Sequence, residues 1–358
     1  MPGPADRVLV ADIGGTFARF ALAQAGTLVT DVHTFPSTGV ASLSDLCVAA
    51  CQEFDAPISG AAIAIAGPAG KGRGRLTQVG CDIQEVELAA ALGVERLLLL
   101  NDFAALAMSL PALVGEDLCS IPPTGASAHS VKTASSVHSV KTIHSVNSVN
   151  SVKTARSIER QENISTLPRV VFGPGTGLGV AALLQLDGKF VALNSEGGHS
   201  SFSPANAFES KLLEYAQQRY GRVSWERVLS GPGLELIDAV STLQFGLGGK
   251  PRTAKEIIEA AQAGDCPVAR HSVRCFAELL GSFGGDLALM FGAGGGVFVG
   301  GGIAQRLAGL IALEDSRERF CRKGRFSGWL ENLPFAIVRH PHAALVGAAR
   351  AYAEQHPG

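Results

Sequence analysis

Three glycine-rich stretches and one isolated carboxylate carry the chemistry that can be read directly from the chain. The first stretch is Asp12-Ile13-Gly14-Gly15-Thr16, at the end of an apolar run from Val8 to Ala11. Glycines let successive backbone N–H groups turn inward and form a nest for phosphate oxygens. Thr16 adds a hydroxyl donor, and Asp12 stands where it would hold Mg2+ through water. An ordinary tight hairpin uses the same residues. The second stretch is Gly173-Pro174-Gly175-Thr176-Gly177-Leu178-Gly179. It repeats the arrangement of strand, glycine turn with a threonine, and strand, which favours phosphate binding and suggests two related half-structures. No lysine follows the glycines, so neither stretch is a P-loop. The third stretch, Gly300-Gly301-Gly302, follows a strand at Val297 to Val299. It would let a nucleotide base or ribose lie against bare backbone; close helix packing is the alternative.

Asp102 follows four consecutive leucines, Leu97 to Leu100, and Asn101. Such a run reads as a buried parallel strand, and in open α/β sheets ligands sit at the carboxyl ends of the strands. A carboxylate there suits a general base that takes the proton of an attacking hydroxyl as a new O–P bond forms. It would also serve as the cap of the following helix, and the two roles coexist. Glu196 and His199 lie three apart around Gly197 and Gly198, and Glu226 precedes Ser230-Gly231-Pro232-Gly233. Several acceptors and donors are what a polyhydroxylated substrate needs, since each hydroxyl left unpaired costs about 1–3 kcal/mol. A metal role for His199 has little support, because Glu196 and His199 have no second matching pair.

The elements that must position these residues follow from periodicity and punctuation. Val8 to Ala11 and Phe20 to Ala23 read as a hairpin, with a third strand over Gly26 to Phe35. Ala61 to Ala66 and Arg169 to Phe172 read as strands, as do Val180 to Leu186 and Phe335 to Val338. Helices are expected over Leu43 to Glu53, Asp82 to Leu92 with Glu85 completing a capping box, Phe103 to Leu110 and Ala205 to Tyr220. Thr253 and Glu256 form a second capping box for a helix to Ala263. Cys266 to Leu289 is a long apolar helix expected to bend around Gly281 to Gly285. Between about 125 and 162 a short unit recurs: His129-Ser-Val-Lys-Thr, His138-Ser-Val-Lys-Thr, His144-Ser-Val and Asn150-Ser-Val-Lys-Thr. This polar segment cannot build a core and reads as a disordered surface insertion, so its three histidines are not taken as a metal tract.

The 358 residues carry 30 basic and 32 acidic side chains, and 46% of them are apolar. A chain of this length exceeds the usual single core, so two domains are expected. The net charge of −2 gives no footprint for a nucleic-acid or polybasic membrane partner. No apolar run reaches the roughly 20 residues that span a bilayer. The start, Met1-Pro2-Gly3-Pro4, leads into a strand without a signal helix, so a cytoplasmic location is expected. None of the seven cysteines forms a CxxC pair, and buried free thiols are the expected state.

The ordered set of motifs resembles the bacterial glucokinases, ATP-dependent hexokinases of the actin-like, ribonuclease-H-like ATPase superfamily. The matching segments are ADIGGTFARFAL from Ala11, LLNDFAALA from Leu99, FGPGTGLGVA from Phe172, SEGGHSSFSP from Ser195, ERVLSGPGL from Glu226 and GGVFVGGGI from Gly295. The resemblance implies an α/β, two-domain actin-like ATPase fold with an interdomain cleft. The small domain would hold residues 1–110 and a terminal helix over 341–358; the large one would hold 111–340. It implies Asp102 as the catalytic base and Asn101, Asp102, Glu196, His199 and Glu226 as glucose ligands. Asp12 to Thr16 and Gly173 to Gly177 would hold the phosphates of ATP, with Mg2+ near Asp12, and Gly300 to Gly302 the adenosine. It further implies a homodimer. Two positions depart from the family. Phe17 stands where an asparagine or another polar residue is usual, and Thr77-Gln78-Val79-Gly80-Cys81 replaces a Thr-Asn-x-x-Trp run. A kinase for another hexose or an amino sugar is the first alternative, and an actin-like or chaperone-type ATPase without a sugar substrate is the second.

Overall fold

The computed structural model describes residues 7–37, 42–77, 80–122, 166–308 and 313–357. The repeat segment and Gln78 lie outside the described residues. The chain groups into two compact units: Met1–Leu113 with Ala181–Asn194 and His340–Gly358, and Val114–Val180 with Ser195–Arg339.

The first unit is built on strands β1 (Val8–Ile13), β2 (Phe17–Gln24), β3 (Thr27–Leu28), β4 (His33–Pro36), β5 (Gly60–Ile65), β6 (Ala69–Gly70), β7 (Arg73–Leu76), β8 (Cys81–Gln84) and β9 (Arg96–Asn101). The main sheet has the order β3-β2-β1-β5-β9, with β4 also paired to β2. β1 and β2 are antiparallel, and β1, β5 and β9 are parallel. Leu9, Ala11 and Ile13 alternate onto one face and pack with Leu46, Cys47, Ala50 and Leu88 of the helices Leu43–Gln52 and Glu85–Leu92. The helices Asp102–Ser109 and Ala343–Gln355 pack on each other and contact the strands of this sheet. Coverage on both faces explains why β5 is buried along its whole length.

A second six-stranded sheet holds β10 (Leu118–Ser120), β11 (Arg169–Pro174), β12 (Leu178–Leu186), β13 (Lys189–Ser195), β14 (Val297–Val299) and β15 (Phe335–Val338), in the order β10-β15-β14-β11-β12-β13; β10, β11, β14 and β15 belong to the second unit, and residues 181–194 of β12 and β13 group with the first. β11, β14 and β15 run parallel. The plan matches that of the first sheet: a strand, a glycine turn, a neighbouring strand, then parallel strands on the other side.

Two local expectations change. Asp82 does not open a helix: Cys81–Gln84 is β8, paired with β7, and the helix begins at Glu85. The span from Gly26 to Phe35 holds two short strands, not one. The long helix runs unbroken from Pro267 to Phe291. Its glycines serve packing: a Cβ at Gly281 would strike the Ser316 carbonyl, and one at Gly285 would stand 2.5 Å from the Phe320 carbonyl oxygen. They let the helix Leu313–Cys321 lie close alongside.

Candidate active site

Strand direction decides where the chemistry of the first unit gathers. Ile13, Ile65 and Asn101 are level at the carboxyl ends of β1, β5 and β9. The Gly14–Thr16 turn and Asp102 therefore leave the sheet at the same height, two strand spacings or roughly 10 Å apart. A cavity of about 690 Å³ at the opposite end of the sheet, lined by Val8, Ser59, Arg96 and Tyr352, contains none of the candidate residues.

Asn101 caps the helix Asp102–Ser109, a role the sequence reading offered to Asp102. Its Oδ1 accepts the Phe103 N–H at 2.9 Å and the Ala104 N–H at 3.2 Å. Its Nδ2 donates to the Gly67 carbonyl at 2.9 Å and to Asp102 Oδ1 at 3.0 Å. Four bonds use the ordinary capacity of a primary amide, so Asn101 braces Asp102. Asp102 is the first helical residue, and its Oδ1 also accepts the Phe103 N–H at 3.0 Å. Burial, and after it the negative charge of Asp12, push its carboxyl up to about 7 against the opposing hydrogen bonds. A group poised there can take and return a proton near neutral pH.

Asp12 is raised by burial and held back by Arg19, whose Nη1 lies 3.4 Å from Asp12 Oδ2. In the turn, Gly14 N–H donates to the Phe17 carbonyl at 3.0 Å, and Thr16 is exposed. The Phe17 side chain is 52% exposed. Its backbone, not its ring, serves the turn. Cys81 lies in β8, opposite Leu76.

In the second unit the turn proper is Gly175–Gly177, because Gly173 is buried inside β11. Gly175 N–H donates to the Gly177 carbonyl at 2.8 Å, and the Gly175 carbonyl accepts from Gly231 at 2.8 Å. Gly300 is buried and donates to the Phe172 carbonyl at 2.7 Å. Gly301 has a φ of +88°, and a Cβ there would stand 2.8 Å from the Pro174 carbonyl oxygen. The second and third glycine stretches thus pack against each other, and Gly302 is exposed at the start of the helix Gly302–Leu307.

Glu226 lies beside this turn. Its Oε2 accepts the Leu178 N–H at 3.0 Å. Its Oε1 is 3.8 Å from His199 Nδ1, and His199 Nε2 is 3.9 Å from Glu196 Oε2. These separations are too long for direct hydrogen bonds and leave one imidazole flanked by two carboxylates. The side chains are 81% exposed at Glu196, 58% at His199 and 26% at Glu226. Among the described residues, no group of three or more His, Cys, Asp or Glu is arranged to hold a metal ion. Nor is any helix among them long and apolar enough to cross a membrane.

The sequence model of the glucokinase family matches residues 9–135 and 142–356. The chain belongs to the glucokinase family. It is 35% identical over 366 residues to a glucokinase of Xanthomonas euvesicatoria pv. vesicatoria, covering 100% of this chain and 99% of that one. It is 35% identical over 353 residues to the bifunctional protein glk of Burkholderia lata, covering 97% of this chain and 48% of that protein. The chain thus spans about half the length of these bifunctional relatives. The crystal structure of a glucokinase from an Antarctic psychrotroph matches with a TM-score of 0.75 and 31% identity, over 97% of this chain and 98% of that chain. The α/β architecture is that of the two-domain actin-like ATPases.

Two features of this glucokinase-family site escaped the sequence reading. Arg19 faces Asp12 across the β1–β2 ladder; counting back from a tight turn at Gly14 to Phe17 would have found it. The bond between Glu226 and Leu178 joins residues 48 apart in the chain and leaves no local signal.

Proposed function

We propose that the protein is a glucokinase, transferring the γ-phosphoryl group of ATP to the 6-hydroxyl of glucose. The observation that carries this reading is Asp102: a carboxyl at the end of a parallel strand, braced by Asn101, raised to about 7 and level with a glycine turn. Asp102 accepts the proton of the 6-hydroxyl as the O–P bond forms. Glu196, His199 and Glu226 bind the other hydroxyls, and Asn101 joins them by exchanging one of its internal bonds. The turns at Asp12 to Thr16 and at Gly175 to Gly177 take the phosphates, and Gly300 to Gly302 take the adenosine; Gly173, buried in β11, only leads into its turn.

The donor set of the first unit fits Mg2+ carried in with ATP. That ion needs one or two carboxylates besides phosphate and water, and Asp12 lies in the field of a second carboxyl, Asp102. When bound, Mg2+ would neutralise charge on the phosphates, and Asp12 would hold it through water. A cytoplasmic homodimer completes the reading; light scattering and cell fractionation test those two parts.

The deciding experiment is ADP release from purified protein, coupled to a reporter enzyme, over glucose, mannose, fructose and glucosamine. Glucose giving the highest kcat/KM supports the proposal. Preference for another of these sugars would move the assignment to a neighbouring hexose kinase. ATP turnover that ignores sugar would overturn it in favour of a sugar-free ATPase.

A further inference from the structure

The carboxylate of Glu226 faces two ways within the second unit. Its Oε2 accepts the backbone N–H of Leu178, the residue that ends the Gly175–Gly177 turn. The same oxygen fills the space beside Gly177, where a Cβ would stand 2.6 Å from it. Gly177 does not have a positive φ, so its missing side chain answers to this carboxylate and not to backbone conformation. Oε1 faces His199. The support beneath is firm. Trp225 is buried, its backbone N–H donates to the Ser200 carbonyl at 2.9 Å, and its ring packs against Phe202 and Phe283.

A carboxylate is a rigid plane, so its two oxygens move together. A ligand that pulls on Oε1 therefore shifts the acceptor on which Leu178 and the glycine turn rest. We propose that Glu226 couples the two substrates, holding sugar with one oxygen while its other oxygen sets the phosphate turn. The inference rests on the function proposed above and adds a role for Glu226 toward the nucleotide. By thermodynamic reciprocity, glucose then changes nucleotide affinity by the same factor as nucleotide changes glucose affinity.

The test is calorimetry on the full chain, with glucose alone, with a non-hydrolysable ATP analogue and Mg2+ alone, and with each in the presence of the other. Glu226→Gln keeps an oxygen for Leu178. It is expected to weaken glucose about tenfold and to leave the analogue within about twofold of wild type. Glu226→Ala removes that acceptor and is expected to weaken the analogue as well, by about five- to tenfold, with no sugar present. Gly177→Ala displaces the carboxylate and is expected to weaken glucose about fivefold with no nucleotide present. A turn that served nucleotide alone would leave that glucose value untouched. The two Glu226 variants keep the test decisive should Gly177→Ala fail to fold. Wild type binding both ligands while Glu226→Ala retains full analogue affinity overturns the coupling alone. Wild type binding the analogue but no glucose overturns the functional reading and this inference with it.

Discussion

The two units treat their carboxylates in opposite ways. In the first, Asp12 and Asp102 lie close enough for one charge to raise the other, and burial raises both. In the second, Glu196 and Glu226 flank a histidine, the first carboxylate largely exposed and the second part-buried. Desolvation and a like charge change the proton affinity of a group. On the function proposed above, the contrast divides the labour: proton transfer falls to the first unit and hydroxyl recognition to the second.

The largest expected effect tests that division at its centre. Asp102→Asn keeps the size of the side chain and removes its basicity. It should lower kcat by about 10²- to 10⁴-fold with glucose KM changed far less. The wild-type profile of kcat/KM against pH should show an acid limb near 7, since the base works only when deprotonated. Rate rises as pH passes upward through that value. A variant that retains turnover, or a flat profile between pH 6 and 8, would move proton transfer away from Asp102.

How much of this was legible beforehand depends on how local each cause is. The β1–β2 hairpin and the helix Ala254–Ala263 were readable because an apolar run, a glycine-rich turn and the Thr253–Glu256 capping box act within a few residues. The same kind of box misled at Asp82 and Glu85. There the pairing of β8 with β7 takes Asp82 into a strand, and Glu85 instead accepts the Leu99 N–H at 3.2 Å. The glycines at 281 and 285 looked like a hinge because the helix they admit lies more than thirty residues on. In the candidate site Asp102 stood out as a carboxylate after four leucines. Its brace, the Asn101 amide, depends on the Gly67 carbonyl of another strand's end, and no spacing rule reveals that.

Within the second unit the contrast can be sharpened by graded exposure. Glu226 is 26% exposed and already fixed by Leu178, so its charge is presented in one place. Glu196 is 81% exposed, and its side chain must be ordered by the ligand itself. Glu226→Gln should therefore raise glucose Kd about tenfold, and Glu196→Gln only about two- to threefold, in the direction set by hydrogen bonds to charged groups. Calorimetry on the two variants checks the order. A reversed order would show that the exposed carboxylate closes on the sugar and that static exposure misjudges recognition here.

The smallest effect concerns stability, and it separates the units without any substrate. Unfolded Asp102 ionises around its ordinary value of 3.8, while the folded carboxyl holds its proton up to about 7. Below the lower value both states are protonated, and the wild type carries no penalty for burying a charge. Between the two values the unfolded chain releases the proton first, so folding loses stability as pH rises; above about 7 the loss is complete and constant. Asp102→Asn never carries the charge. Its melting temperature should therefore gain on the wild type between pH 4 and pH 8, by several degrees at most, and level off above pH 7. A gap for Asp102→Asn that stays the same at every pH would mean the carboxyl keeps its water, and the electrostatic distinction between the units would fail with it.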